Sequence, residues 1–305
     1  MKCAQIVDGK IQIAHAPIPK PQSFERLIKV KAFAINRADI LQIEGRYNSP
    51  DGSCIPGLEV AGIDMNTGEE VCALLASGGY AEYVCAHEDH IIAKPKSFTL
   101  LEAAALPEAM ITTYMNIFKN AKATSGETVL IHGGTSGIGS MAIQMAKLKG
   151  LRVITSIGED HKKNLCLNLG ADSAINYHSD FGQLLKNEVD VVLDILGAEH
   201  FEKNISCLKI GGRLCLIALM SGSKAQLNLA SVLMKNLSII GSTLRSKNNQ
   251  QKRALIKGAL REFSIHLASK KLCPVIDSIF LFSDLAAAID RVRSRKHFGK
   301  VVIGF

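Results

Sequence analysis

The chain lacks the usual marks of an oxidising, membrane-bound or metal-dependent protein. Its eight cysteines, Cys3, Cys54, Cys72, Cys85, Cys166, Cys207, Cys215 and Cys273, form no Cys-x-x-Cys pair and no His/Cys spacing suited to zinc. Several lie in apolar runs, which reads as reduced, mostly buried thiols in a reducing compartment. No apolar run opens the chain like a signal peptide, and none later approaches an uninterrupted membrane span, so a cytoplasmic location without membrane contact is expected. Low-complexity tracts are missing, as are helix-turn-helix and RNA-binding signatures. The net charge is +8, but the basic residues are scattered, with one modest cluster at Arg291, Arg293, Arg295 and Lys296. Nucleic acid is therefore not the expected partner.

What is present is an ordinary globular composition, 47% apolar and 21% charged over 305 residues, long enough for two domains. The chain is organised around TVLIHGGTSGIGSMAIQMAKLKG, residues 128 to 150. An apolar run enters a glycine cluster and leaves it as a helical pattern that stops at Gly150: strand, tight turn, helix. The first amides of such a helix have no intrahelical partner, and its dipole is positive there, so a phosphate can sit at its start. Gly133, Gly134, Gly137 and Gly139 would let the backbone approach a diphosphate closely. The spacing is GGxxGxG and not GxGxxG, so the motif alone also suits an ordinary glycine-rich loop.

Residues 1 to about 108 read as short strands separated by Pro and Gly signals, an antiparallel β-rich domain. Ser97 is a candidate cap for a helix through Ala105, and Pro107 interrupts it before a second apolar helix around 111 to 118. From Thr128 strand and helix alternate to about 219, with a further strand at 237 to 242, a pattern that builds a parallel sheet covered by helices. A helix from about 249 to 271, a strand at 275 to 282, a short helix and the closing strand KVVIGF follow. This tail can return to complete the N-terminal domain.

Several motifs then occur in a consistent order: AINRADILQIEGRYNSPDG at 34 to 52, PGLEVAG at 56 to 62, HGGTSGIGSMAIQMAK at 132 to 147, LGADSAINY at 169 to 177 and GSTLR at 241 to 245. On these the chain resembles the zinc-independent quinone oxidoreductases of the medium-chain dehydrogenase/reductase superfamily. The resemblance implies an α/β protein, a doubly wound Rossmann sheet inserted in a GroES-like β-rich catalytic domain, with the active site in the cleft between them and a homodimeric assembly. The boundaries it suggests are 1–110 with 270–305 for the catalytic domain and 111–269 for the Rossmann domain. Where zinc-dependent relatives carry a Cys, a His and a further ligand, this sequence has Asn36, Leu58 and Met110. A catalytic zinc needs about three protein ligands, so no metal is expected.

By the same resemblance, Gly158, Lys162 and Tyr177 fall where a glycine, a lysine and a tyrosine surround the 2′-phosphate of NADPH. A lysine supplies charge and a tyrosine a hydroxyl donor. Glu159 or Asp160, turned inward, would oppose that preference. Thr112, Thr135, Ser136, Gly137 and Ile138 are implied near the ribose and diphosphate, and Leu244 near the nicotinamide. His132, under the glycine loop, reads equally as a satisfied core histidine or as a residue that shapes the pocket.

Quinone reduction needs a hydride donor, an acceptor ring held against it, and a hydrogen-bond donor for the developing oxyanion. Tyr47 is the candidate donor or stacking residue, and Asn36 a hydrogen-bonding group near the nicotinamide or the quinone oxygen. Asp39 reads as a cap for a helix starting at Ile40, and Glu59 as an internal partner, rather than as an acid/base pair. Three functions stay open: NADPH-dependent reduction of small quinones, NADPH-dependent reduction of activated alkenes such as enones or enoyl thioesters, and a dinucleotide-binding sensor or RNA-binding protein with little turnover.

Overall fold

The computed structural model describes residues 1–50 and 52–305; Asp51, which falls within the quoted segment 34–52, lies outside the described residues. The chain divides into two units, Met1–Ala109 with Lys247–Phe305, and Met110–Ser246.

In the first unit, β1 (Lys2–Val7) and β2 (Lys10–His15) form a hairpin. Its turn holds Asp8 and Gly9 at φ of 50° and 72°, the left-handed pair that matches strand twist. In β3 (Glu25–Ile35) Ile28 and Val30 are buried while Lys29 and Lys31 are exposed, the alternation of a strand with one solvated face. Its last residues, Ala32–Ile35, are buried on both faces. Next come α1 (Arg37–Ile43), β4 (Glu59–Asp64), β5 (Glu70–Leu74), β6 (Tyr83–His87), β7 (Ile91–Ala93) and α2 (Leu100–Ala104). The cap of α2 is Thr99, not Ser97. Thr99 and Glu102 make a reciprocal capping box, and the Ser97 hydroxyl instead donates to the Leu267 carbonyl at 2.9 Å.

Pro107 opens α3 (Pro107–Thr113), where its missing N–H costs nothing. The chain continues directly into a π-helical segment, Tyr114–Asn120, closed by the Ala121 amide on the Asn116 carbonyl at 2.9 Å.

The second unit alternates as the sequence pattern predicts: β8 (Thr128–His132), α4 (Gly137–Leu148), β9 (Arg152–Ile157), α5 (Lys163–Asn168), β10 (Ser173–Asn176), α6 (Phe181–Leu184), β11 (Val189–Asp194), α7 (Phe201–Cys207), β12 (Leu208–Leu216), α8 (Leu229–Lys235) and β13 (Ser238–Gly241). The six strands lie in the order β10-β9-β8-β11-β12-β13, and every pairing is parallel. Successive β8 residues point to opposite faces: Val129 and Ile131 join one core with Ile143 and Val153, and Leu130 joins the other with Phe181 and Ile205. α7 ends at Cys207, directly before β12. The Lys235 ammonium donates to the carbonyls of Ile205, Ser206 and Leu208 at 2.8–3.1 Å and closes the helix end.

The chain then returns through α9 (Asn249–Ala268), β14 (Ile276–Leu281), α10 (Leu285–Arg293) and β15 (Lys300–Gly304). β15 pairs antiparallel with β3, Val301 opposite Ile35, in a sheet ordered β14-β15-β3-β4-β5-β7 with β6 also on β3. α9 groups with the first unit, although the boundaries suggested by the resemblance place residues up to 269 in the inserted segment. Contacts far apart in sequence hold it there: Arg253 with Asp89 at 3.1 Å, and Ser97 with Leu267. Among the described residues no helix is long and apolar enough to cross a membrane.

Candidate functional site

In the first unit the ends of β3, β4 and β15 bring Asn36, Glu59 and Lys300 together out of solvent. The Lys300 ammonium donates to Asn36 Oδ1 at 2.6 Å and makes a short contact with Glu59 Oε1. Asn36 Nδ2 donates to the same Glu59 oxygen at 3.0 Å and to the Ala34 carbonyl at 3.4 Å. The other Glu59 oxygen accepts from the Glu108 amide at 2.9 Å, in the first turn of α3. Asn36 itself is the cap of α1, so the helix begins at Arg37 and not at Ile40. Asp39 lies inside the helix and accepts from the Asn36 amide at 2.7 Å and from the Tyr80 hydroxyl at 3.1 Å. Tyr80 is fixed in turn by stacking on Phe33, with ring centroids 4.4 Å apart.

This geometry narrows what Asn36 can do. Both amide hydrogens are directed at Glu59 and Ala34, so the remaining capacity is as an acceptor through Oδ1. Of the hydrogen bonds expected of Asn36 near the nicotinamide or the quinone oxygen, these contacts leave those in which its oxygen accepts. Burial raises the Asp39 carboxyl to about 6, although the Asn36 amide, Lys300 and Tyr80 pull it down. Its Oδ1 is buried without a partner. Tyr80 is pushed well above the ordinary phenol range by burial and then by Asp39, so it stays a hydroxyl donor. Tyr47 is half-buried in the turn after α1.

Among the described residues no group of three or more His, Cys, Asp or Glu side chains is placed to hold a metal ion. The expected ligand positions carry an amide, an alkyl and a thioether at Asn36, Leu58 and Met110. A fixed ammonium contacts Asn36 and Glu59, and it would repel a cation brought to the same place.

In the second unit the glycine turn lies at the carboxyl ends of β8 and β11, where the strand order reverses. Gly133 takes φ of 69°, the Gly134 amide donates to the Ser156 carbonyl at 3.0 Å, and the Ser136 hydroxyl caps α4 by accepting from the Gly139 amide at 2.9 Å. A Cβ on Gly139 would strike the Gly133 carbonyl, so helix and turn approach this closely only with glycine there. Thr135, Gly137 and Ile138 are half-buried around the start of α4. No acidic residue occupies the first turn of this helix, so its positive end is not offset by a side chain. The cradle has the donors and the close backbone that an anionic diphosphate requires.

Beyond β9 the structure brings Gly158 and Tyr177 into contact: a Cβ on Gly158 would lie 2.6 Å from the tyrosine hydroxyl. Lys162 is nearly buried and sits 3.5 Å from Glu159, a long contact for a hydrogen bond. Glu159 is shared with His161 at 3.4 Å, and Asp160 accepts from Asn176 at 3.0 Å. Of the two acids, Glu159 is therefore the one beside the lysine. Thr112 and Leu244 are buried in the same unit. Asn116 links their segments by donating to the Thr112 carbonyl at 2.9 Å and accepting from the Ser242 hydroxyl at 2.6 Å.

No motif in the sequence points to Lys300, Tyr80 or Asn116. The one available signal for Lys300 was a lysine opening an otherwise apolar closing strand. Replacing it tests the buried network: Lys300→Met leaves Glu59 buried and unpaired, at a cost of about 3–5 kcal/mol. Adding Glu59→Gln in the same chain is expected to return part of that loss. Urea unfolding of the four proteins measures the coupling, and strictly additive losses would show that the two groups do not act together.

Two family models match in order, the alcohol dehydrogenase GroES-like domain over residues 22–96 and the zinc-binding dehydrogenase over residues 137–260. The quinone oxidoreductase of Mus musculus is 30% identical over 253 residues, 77% of this chain and 76% of that protein. The 2-methylene-furan-3-one reductase of Solanum lycopersicum is 29% identical over 313 residues, 95% and 74% of the two chains. Among solved structures, the quinone oxidoreductase of Thermus thermophilus superposes with a TM-score of 0.88 at 29% identity, covering 100% of each chain. The β-rich first unit is GroES-like and the parallel sheet of the second is a Rossmann sheet. The order of the two models, the fold and a relative at this identity over three quarters of the chain together place it: the chain belongs to the quinone oxidoreductase family of the medium-chain dehydrogenase/reductase superfamily.

Proposed function

We propose that the protein is a metal-independent NADPH:quinone reductase. The observation that carries the cofactor half is the pair of cradles in the second unit, the glycine turn ahead of α4 and the Gly158–Lys162–Tyr177 cluster. Thr135, Ser136, Gly137 and Ile138 would hold the diphosphate, Gly158, Lys162 and Tyr177 the 2′-phosphate, and Thr112 and Leu244 the ribose and nicotinamide end. The similar quinone oxidoreductase of Thermus thermophilus has been solved in complex with NADPH, which supports the choice of dinucleotide. Bound there, the cofactor supplies the hydride. The chain's own work is to hold the rings, exclude water and stabilise charge on the substrate oxygen.

For that last task Tyr47 is the donor, because Asn36 has its amide hydrogens committed to Glu59 and Ala34. Asn36 then serves through its oxygen, an acceptor suited to a carboxamide N–H. No strong acid is required of the protein, since a quinone is already electrophilic and its product takes protons from water. Reduction of activated alkenes is the second reading, favoured by the similarity to a 2-methylene-furan-3-one reductase. The eight free cysteines suit a reducing, cytoplasmic setting.

The second unit also supports a homodimer. β13 is the edge strand of its sheet, and the adjacent α8 exposes Leu229, Leu233 and Met234. A two-fold axis would pair such an edge with its own copy.

Oxidation of NADPH and NADH is followed against a panel of quinones and enones with a chelator present. Chelator-insensitive oxidation of NADPH by quinones is expected; turnover of enones alone would favour the second reading. Lys162→Ala is expected to raise the Kd for NADPH about tenfold while leaving that for NADH within about twofold, and equal losses would remove the 2′-phosphate assignment. In Tyr47→Phe, kcat is expected to fall about tenfold with cofactor affinity unchanged; kinetics like the native enzyme's across several quinones would take Tyr47 off the list. Sedimentation velocity is expected to give the mass of two chains, reduced to one in Leu233→Glu, and a monomeric native protein would end the dimer reading.

A further inference from the structure

A line of buried polar side chains runs beneath the glycine turn: Ser156, His132 and Asn204, none more than 1% exposed. His132 Nδ1 lies 2.7 Å from Ser156 Oγ, and His132 Nε2 lies 2.7 Å from Asn204 Oδ1. Asn204 presents its Oδ1 to the ring, while its Nδ2 is buried without a hydrogen-bond partner, on the side away from His132. Its oxygen is thus turned to the imidazole, so Nε2 carries the hydrogen and Nδ1 is left as the acceptor for the Ser156 hydroxyl. This is a neutral ring in one tautomer, and burial holds its pKa down at about 4. The sequence of groups is that of a hydrolytic triad, but Ser156 has no exposed surface and donates to the ring, so it offers no nucleophile.

What the line does is mechanical. His132 and Ser156 are the last residue of β8 and the penultimate of β9, directly opposite in the strand register, and their side chains add a bond across that final rung. Ser156 is also where two other constraints meet. Its carbonyl accepts from the Gly134 amide, which fixes the turn, and two residues later Gly158 lies against the Tyr177 hydroxyl, whose backbone amide donates to the Ile157 carbonyl at 3.0 Å. Thr155 completes the clamp by donating to the Ile131 carbonyl at 2.8 Å, with its side chain in the space a Cβ of Gly134 would need. Ser156 thus stands between the turn proposed for a diphosphate and the cluster proposed for a 2′-phosphate.

We propose that His132 is a positioning residue for cofactor selectivity: through Ser156 it fixes the spacing between the glycine turn and the Gly158–Lys162–Tyr177 cluster, so that both ends of a 2′-phosphorylated dinucleotide are met at once. The inference rests on the cofactor assignment made above. A dinucleotide without the 2′-phosphate engages only the turn and is indifferent to the spacing.

Direct titration of NADPH and NADH into four variants tests it. Ser156→Ala removes the hydroxyl and little volume, and is expected to raise the NADPH Kd roughly fivefold to tenfold more than the NADH Kd. His132→Gln, whose amide reaches toward Asn204, is expected to show the same loss of discrimination. His132→Asn, whose oxygen falls near the place of Nδ1, is expected to restore much of it by accepting from Ser156. Lys235→Met, which breaks bonds elsewhere in the unit, controls for lost stability and is expected to leave the NADPH/NADH ratio unchanged. Nitrogen-15 NMR of the native ring is expected to report the Nε2–H tautomer at pH 6 to 8, altered in Ser156→Ala. If the native protein binds neither dinucleotide, the cofactor assignment fails. If it binds NADPH preferentially and Ser156→Ala keeps the native ratio, or Lys235→Met loses it equally, the positioning role of His132 is overturned.

Discussion

The first unit depends on one buried pairing of charge, Lys300 with Glu59, and on the amide of Asn36 that touches both. Two ions removed from water are costly unless their remaining hydrogen-bonding capacity is used. Here Glu59 is occupied by Lys300, Asn36 and the Glu108 amide, and Lys300 by Asn36 and Glu59. Satisfying these groups requires the ends of β3, β4 and β15 and the start of α3 to arrive at one point. The network therefore enforces the return of the C-terminal strand to a sheet begun far earlier in the chain.

In the second unit the governing constraint is space rather than charge. The turn between β8 and α4 is drawn in until glycine alone fits at the approach of Gly139 to the Gly133 carbonyl. That closeness presents backbone amides and a helix end without acidic residues to one region outside the sheet. The uncharged His132 beneath it contributes orientation without altering the local potential. On the cofactor assignment proposed above, the anion would be met by peptide groups and by Lys162, with Glu159 3.5 Å from that lysine.

Elements whose formation is decided locally were legible in the sequence. The run TVLI with its glycine turn and capped helix, the alternation of strands and helices to β13, and the closing apolar strand all follow from periodicity and turn chemistry. Errors arose where neighbours in space decide. Thr99 outcompetes Ser97 as a cap because Glu102 answers it and because Leu267, remote in sequence, takes up Ser97. Distant partners act in the same way on α7, whose end Lys235 closes, and on α9, which Asp89 and Ser97 hold. Within the site, the Gly158–Tyr177 contact was legible through the family resemblance. The commitment of Asn36 was not, because it depends on Lys300, 264 residues away.

The π-helical segment Tyr114–Asn120 leaves this part of the fold no slack. Its wider turn faces Asn116 inward, where the side chain joins the Thr112 carbonyl to the Ser242 hydroxyl and the carbonyl accepts from the Cys215 thiol at 3.5 Å. Loss of one residue here would tighten the coil to ordinary α geometry and turn everything downstream by about 100° about the axis. A homologue shortened by a single position in this stretch would have to rebuild the link from Thr112 through Asn116 to Ser242, whereas changes of length in surface loops leave it untouched.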